Sequence, residues 1–171
     1  MANIVENHVY IDAIDEKLNE ILEFVKGPET YENGYVEEVP FDFNKIIPMP
    51  EEYNEGSKWY YWRIENWGTK WNASGGYSDG AGYFMFDTAW STPVPIIKRL
   101  SELFNDIEFL VRYADEDFGY NVGEYTYMNG RLVESNIPED GSEEAYELAA
   151  DILGYDARED WKEMYGDDNL C

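Results

Sequence analysis

Four of the chain's six tryptophans fall within thirteen residues, in the run Trp59-Tyr60-Tyr61-Trp62-Arg63-Ile64-Glu65-Asn66-Trp67-Gly68-Thr69-Lys70-Trp71. Each indole buries roughly 150–250 Å² and carries one N–H that needs an acceptor. A run this dense is a packing centre or a stacking surface, and the rest of the chain has to build around it. The charge sits elsewhere. Of a net −25, residues 51–100 carry −1 and the remainder −24.

A chain of 171 residues with 44% apolar content, eight Phe and fifteen Tyr can fill the core of one domain. Its charge is far beyond the roughly 2–8 units usual for a small soluble domain, and self-repulsion on that scale opposes compaction. Free nucleic acid, phosphorylated metabolites and anionic lipid are poor partners for such a surface; basic protein surfaces are good ones. The single cysteine, Cys171, permits no internal disulfide and no thiol-built zinc cluster. The first residues lack the basic and apolar stretches of a signal peptide, and no apolar run approaches the roughly 18 residues that span a bilayer. A cytoplasmic protein with no membrane partner is expected.

Along the chain, Val9-Tyr10-Ile11 reads as a short strand, and Asp12 or Asp15 as the N-cap of a helix with Leu18, Ile21, Leu22 and Val25 on one face, stopped by Gly27-Pro28. Residues 28–58 show no clear period and read as a long insertion, extended over 41–50. Trp59–Asn66 reads as helix closed by Gly68, and the glycine-rich residues 74–80 as a turn or mobile loop. Tyr83–Trp90 reads as a strand. Thr92 then caps a helix with Pro93 at its first position and Ile96, Ile97, Leu100, Leu103 and Phe104 along one stripe. Ile107, Phe109, Val111 and Tyr113 alternate as a strand, and Asn129-Gly130 signals a hairpin between 123–128 and 131–134. Ser142 caps a helix with Ala145, Leu148, Ala149, Ile152 and Leu153 inward, and a shorter helix follows over 156–165. The order predicts an α+β fold with a mainly antiparallel sheet. The predicted division is one domain over 1–138, with its insertion at 28–58, and an acidic helical extension over 139–171 packed on it.

Two sets of residues are candidates for function. Residues 139–171 hold twelve carboxylates and two cations. Among them Glu143, Glu144, Glu147 and Asp151, then Asp156, Glu159, Asp160 and Glu163, recur at helical spacing. Like charges at i, i+4 each cost a few tenths of a kcal/mol, so the row is a solvated face or an anionic surface that meets a basic partner. The second set is Trp59, Trp62, Arg63, Trp67, Lys70 and Trp71, which could stack a base or a sugar ring; the competing reading makes Trp62, Trp67, Trp71 and Trp90 a packed core. Other patterns carry less. Asp115-Glu116-Asp117-Phe118-Gly119 fails the calcium-loop pattern because its glycine is one place early. His8, the only histidine, reads as structural. No nucleophile elbow, phosphate-binding loop or dinucleotide fingerprint occurs.

Four stretches together, Asn44–Pro50, Trp62–Trp71, Phe86–Ser91 and the strand Ile107–Tyr113, resemble the YubB-like ferredoxin-like domain of phages, plasmids and other mobile elements. The resemblance covers about residues 41–135, with the acidic C-terminal helices outside it. It departs at Thr92, where a second proline is usual. It implies a ferredoxin-like α+β sandwich, a mainly antiparallel sheet with helices on one face, and no iron–sulfur cluster or other cofactor. It implies no catalytic residues. The expected protein is non-enzymatic, cytoplasmic in a bacterial host, and binds a basic host macromolecule through its acidic surface. The concrete form of that expectation is an anti-defence inhibitor that mimics nucleic-acid charge in a nucleic-acid-binding cleft without touching nucleic acid itself. The alternative is a nucleotide- or sugar-binding protein built on the tryptophan run.

Overall fold

The computed structural model describes residues 1–154 together with Glu159, Lys162, Glu163 and Gly166. Residues 4–12 alternate strictly: Val5, Asn7, Val9 and Ile11 are buried while Glu6, His8 and Tyr10 are half-exposed. That period of two makes the whole segment a strand, β1 (Ile4–Asp12), longer than the three residues read from sequence. Helix α1 (Asp15–Val25) buries Leu18, Ile21 and Val25. Neither proposed cap is used: Ile14 holds the N-cap position and Asp15 lies inside the first turn, where its charge favours the helix dipole.

The insertion at 28–58 is structured. A small hairpin pairs β2 (Gly27–Thr30) with β3 (Val36–Val39), and Tyr31 and Tyr35 stack at its turn with ring centroids 5.9 Å apart. Residues 41–50 are not simply extended. Asp42 caps a one-turn helix, α2 (Phe43–Ile46), by accepting from the Asn44 amide at 2.9 Å. A 3₁₀ turn over Glu51–Asn54 leads into α3 (Lys58–Trp67), which Gly68 closes at φ 78°. A side chain at Gly68 would also strike Pro95, because a Cβ there lies 2.8 Å from Pro95 Cδ.

The glycine-rich run is not a loop. Ser74–Ser78 forms an edge strand, β4, on β5 (Tyr83–Ala89), with a register shift between Ser74 and Tyr77 where Gly75 takes φ 62°. Helix α4 (Val94–Leu103) starts one residue later than expected, with Pro93 at the cap. The Thr92 hydroxyl instead shares a 2.8 Å hydrogen bond with Tyr125, whose phenol pKa burial pushes well up. Of the stripe, Ile96, Ile97 and Leu100 are buried and Leu103 is exposed. Strand β6 (Glu108–Asp115) and the hairpin β7 (Val122–Met128) and β8 (Arg131–Asn136) follow. Asn129 and Gly130 take φ 52° and 74°, as the tight turn requires. Helix α5 (Glu143–Leu153) is capped by Ser142, which accepts from the Ala145 amide at 3.2 Å.

The six long strands form one antiparallel sheet in the order β4-β5-β1-β6-β7-β8. Within it, β1-α1-β4-β5-α4-β6 is the ferredoxin-like unit, with β1 central between β5 and β6; the β7–β8 hairpin extends one edge. Helices α1 to α4 cover one face over a core that includes Val5, Val9, Phe84, Phe86, Phe109 and Trp67. Helix α5 lies on the opposite face, where Ala145, Tyr146, Ala149 and Ile152 pack on Ala114, Phe118 and Val122 in a separate cluster. The rest of that face is open. Among the described residues no helix is long and apolar enough to cross a membrane.

Candidate functional site

The tryptophan run resolves into a core residue and a rim. Trp59, Arg63 and Trp67 recur at i, i+4 and i+8 on α3, so they fall on one stripe of the helix. Trp67 is fully buried, donates its indole N–H to the Ile47 carbonyl at 2.9 Å, and meets Phe43 and Trp62 edge-on at 5.6 and 5.7 Å. Trp62 leans on Tyr53 as well. The Arg63 guanidinium lies 5.1 Å from the Trp59 ring and 4.9 Å from the Trp67 ring, and burial lowers its pKa. Lys70 Nζ lies 5.0 Å from the Trp71 ring and 4.1 Å from the Trp90 ring. Trp71 and Trp90 are 37% and 44% exposed, so the expectation that they belong to the core is corrected. The chain's own cations occupy the gaps between these rings, where a stacked base would have to enter.

Hydrogen bonds explain why the Trp67–Trp71 and Thr88–Ser91 segments belong together. Thr69 Oγ1 donates to the Ala89 carbonyl at 2.8 Å and accepts from the Ala89 amide at 3.1 Å. Ser91 Oγ donates to the Gly68 carbonyl at 2.6 Å, and Thr88 Oγ1 to the Ser91 carbonyl at 2.8 Å. Trp90 is held between them at φ 66°, a left-handed conformation that a bulky residue rarely adopts. Asn72 ties the next residues to α2: it accepts from the Phe43 amide and donates to Asp42.

The acidic row lies on the other side of the sheet. Glu143, Glu144, Glu147 and Asp151 are all exposed on α5, and Glu159 and Glu163 are exposed beyond it. Asp156 and Asp160 lie outside the described residues. Asp151 differs from its neighbours: Arg112 on β6 donates to it and to Glu124 on β7, so this carboxylate anchors α5 to the sheet. Beside α5 the open face carries Glu6, His8, Tyr10, Tyr83 and Asp87, a set not singled out from sequence apart from His8. Glu6 Oε1 lies 2.6 Å from His8 Nε2, and the Tyr83 hydroxyl 3.0 Å from His8 Nδ1. The unused signal was the polar half of the β1 alternation. The aspartates of the rejected calcium loop serve the fold: Asp115 accepts from the side chains of Asn3 and Asn121 and from the Asp117 amide.

With this geometry in place, a family model described as the ferredoxin-like domain in Api92-like protein matches residues 66–156. The chain belongs to this Api92-like family. The match includes Trp67–Trp71, Thr88–Ser91 and all of α5. A crystal structure of a protein api92 from Yersinia pseudotuberculosis is similar at 21% identity and a TM-score of 0.48, covering 60% of this chain and 42% of that one. The chain thus spans less than half the length of that Api92 protein. No curated protein matches the chain.

Proposed function

We propose that this Api92-like protein is a non-enzymatic binding protein whose acidic side engages a basic surface of another macromolecule. In its specific form it is an inhibitor encoded by a phage or plasmid, which enters a nucleic-acid-binding cleft of a host defence protein by presenting phosphate-like charge. The observation that carries this reading is juxtaposition. The exposed α5 carboxylates and the half-open sheet face share one side of the molecule, and Arg112, the cation set among them, is already held by Glu124 and Asp151. Carboxylates one helical turn apart present about one charge per 5–6 Å, against one per 3.4 Å along a DNA strand. A second acidic row is therefore needed to approach that density, and the sheet face beside α5 supplies one. The tryptophan reading is disfavoured because Arg63 and Lys70 fill the spaces a ligand ring would take.

The test reverses Glu143 and Glu147 to lysine and leaves Asp151 alone, since its loss would free α5 from its ion pair with Arg112 on the sheet. A partner captured from bacterial lysate is titrated with both proteins across a salt series. We expect slower association and a shallower salt dependence for the variant, since steered association falls steeply with ionic strength. Equal rates and equal salt slopes would remove the reading, and the captured partner's failure to release DNA on binding would remove its nucleic-acid-mimic form.

A further inference from the structure

The open face of the sheet is not flat. A depression of about 540 Å³ is lined by residues that include Tyr10, Asp12, Asp79, Tyr83, Glu108 and Leu110. A second, of about 240 Å³, continues past Glu108 and Leu110 to Glu124, Glu134 and Asn136. Glu108 and Leu110 line both, so the two form one trough crossing the strands from β5 to β8. Four inter-strand spacings make it about 19 Å long, the reach of some six extended residues.

Five carboxylates line this trough and no lysine or arginine does. Two of them have internal roles. Asp79 accepts from the Ala81 and Tyr83 amides, and Glu124 is held by Arg112. Asp12, Glu108 and Glu134 are exposed and have no ion-pair partner among the described residues. At one end stand two aromatic rings, Tyr10 and Tyr83, with centroids 5.2 Å apart and planes at 47°. Tyr83 cannot swing away freely, because its hydroxyl is tied to His8 and His8 to Glu6. Fixed π-faces beside unpaired carboxylates suit one chemical group above others. A guanidinium is planar, stacks on tyrosine, and presents a fork of N–H donors that fits a carboxylate. The scattered carboxylates do not suit a metal ion, since among the described residues no three ligating groups converge.

We propose that this trough is the docking site for an extended, arginine-bearing segment of a basic protein partner. Its arginine stacks on Tyr10 and Tyr83, and further cations along the segment meet Glu108 and Glu134. This rests on the reading of the acidic side as the partner-facing one, and it moves the principal contact from α5 to the sheet.

The probes are a nine-residue arginine–serine peptide and its lysine–serine counterpart, titrated by fluorescence anisotropy against the full chain at low salt. Two variants remove two charges each. One, Tyr10→Leu/Glu108→Gln/Glu134→Gln, alters the trough; the other, Glu143→Gln/Glu147→Gln, alters only α5. The wild type should prefer the arginine peptide by about threefold, which is what an exposed cation–aromatic contact contributes. The trough variant should lose about tenfold for that peptide and lose the preference; the α5 variant should lose about twofold and keep it. Equal losses in the two variants would overturn the trough while leaving the acidic-side reading intact. No binding of either peptide by the wild type would overturn both. Should Tyr10→Leu not fold, Glu108→Gln/Glu134→Gln alone decides: a loss no greater than that of the α5 pair overturns the proposal.

Discussion

Arg63 and Lys70 on the helical side, and Asp12, Glu108 and Glu143 on the side of the open sheet and α5, are all charged groups without an ion pair among the described residues, and the fold treats them in opposite ways. The two cations are set against indole rings at 4.1–5.1 Å and act as packing residues. The carboxylates stand in solvent with nothing of their own chain to neutralise them. In a protein of charge −25, a cation placed against tryptophan in preference to one of 37 carboxylates is a structural part, and its ring is no longer free for a ligand. The difference teaches where recognition chemistry remains available: the rings and cations of the aromatic side are spent on folding, whereas on the other side Arg112 engages Glu124 and Asp151 but Asp12, Glu108 and Glu143 have no ion pair among the described residues.

The strongest way to break this comparison is at Trp67. If the aromatic side is structural, Trp67→Ala should cost about 3–5 kcal/mol through cavity formation and a stranded Ile47 carbonyl. Trp71→Ala, at the rim, should cost about 1 kcal/mol or less, the size of an exposed cation–aromatic contact. Chemical denaturation of both variants gives the contrast. A Trp67→Ala protein with an unchanged midpoint would mean the ring is not core, and the aromatic side would again be open to a ligand.

A second measurement sharpens the role of the rim. Trp90 occupies φ 66°, which costs an L-residue roughly 1–2 kcal/mol. Trp90→Ala keeps that strain and loses the ring, whereas Trp90→Gly loses the ring and the strain together. We expect the glycine variant to be more stable than the alanine variant by about 1 kcal/mol, the reverse of the usual order in regular structure. Equal stabilities would show that the backbone here relaxes, and that Thr69 and Ser91 do not hold Trp90 in place.

How far the two sides could be read from sequence follows from how local their signals are. The close of α3 at Gly68, the Asn129-Gly130 turn and the Ser142 cap were legible because each is decided within a few residues. The β2–β3 hairpin was not, because Val36–Val39 is almost wholly exposed and carries no alternation. The turn of α2 depends on Asp42 being braced by Asn72, 30 residues away. The charge of α5 was plain, yet the loss of Asp151 to Arg112 needed a contact across 39 residues. The trough was least legible of all. It exists only because the register sets Tyr10 opposite both Tyr83 and Leu110, Leu110 opposite Thr126 and Thr126 opposite Glu134, and so brings one half of five strands to a common face.

The smallest effect tests whether the anionic side is wholly spared by the fold. Beyond Glu124 and Asp151, which Arg112 holds, Asp87 is an exception to expect, since it sits directly opposite Glu6 in the β1–β5 ladder. Burial raises its pKa, and the charges of Glu6 and Glu116 raise it further. A carboxyl whose folded pKa lies above its unfolded value of 3.8 binds protons more readily in the native state. Its ionisation therefore opposes folding, a cost absent below the unfolded pKa and reached in full once pH exceeds the folded one. Asp87→Asn should accordingly stabilise the protein at pH 7 by a few tenths of a kcal/mol, the scale of a like-charge cross-strand pair, or about 1–2 °C in Tm. The gap should close as pH falls through about 4, where the carboxyl is neutral in both states. Glu108→Gln, exposed at the end of β6, should shift Tm less at either pH. A wild type more stable than Asp87→Asn at pH 7 would mean that the folded chain holds this carboxylate in its charged form, and that the open face is organised for its own stability as well as for a partner.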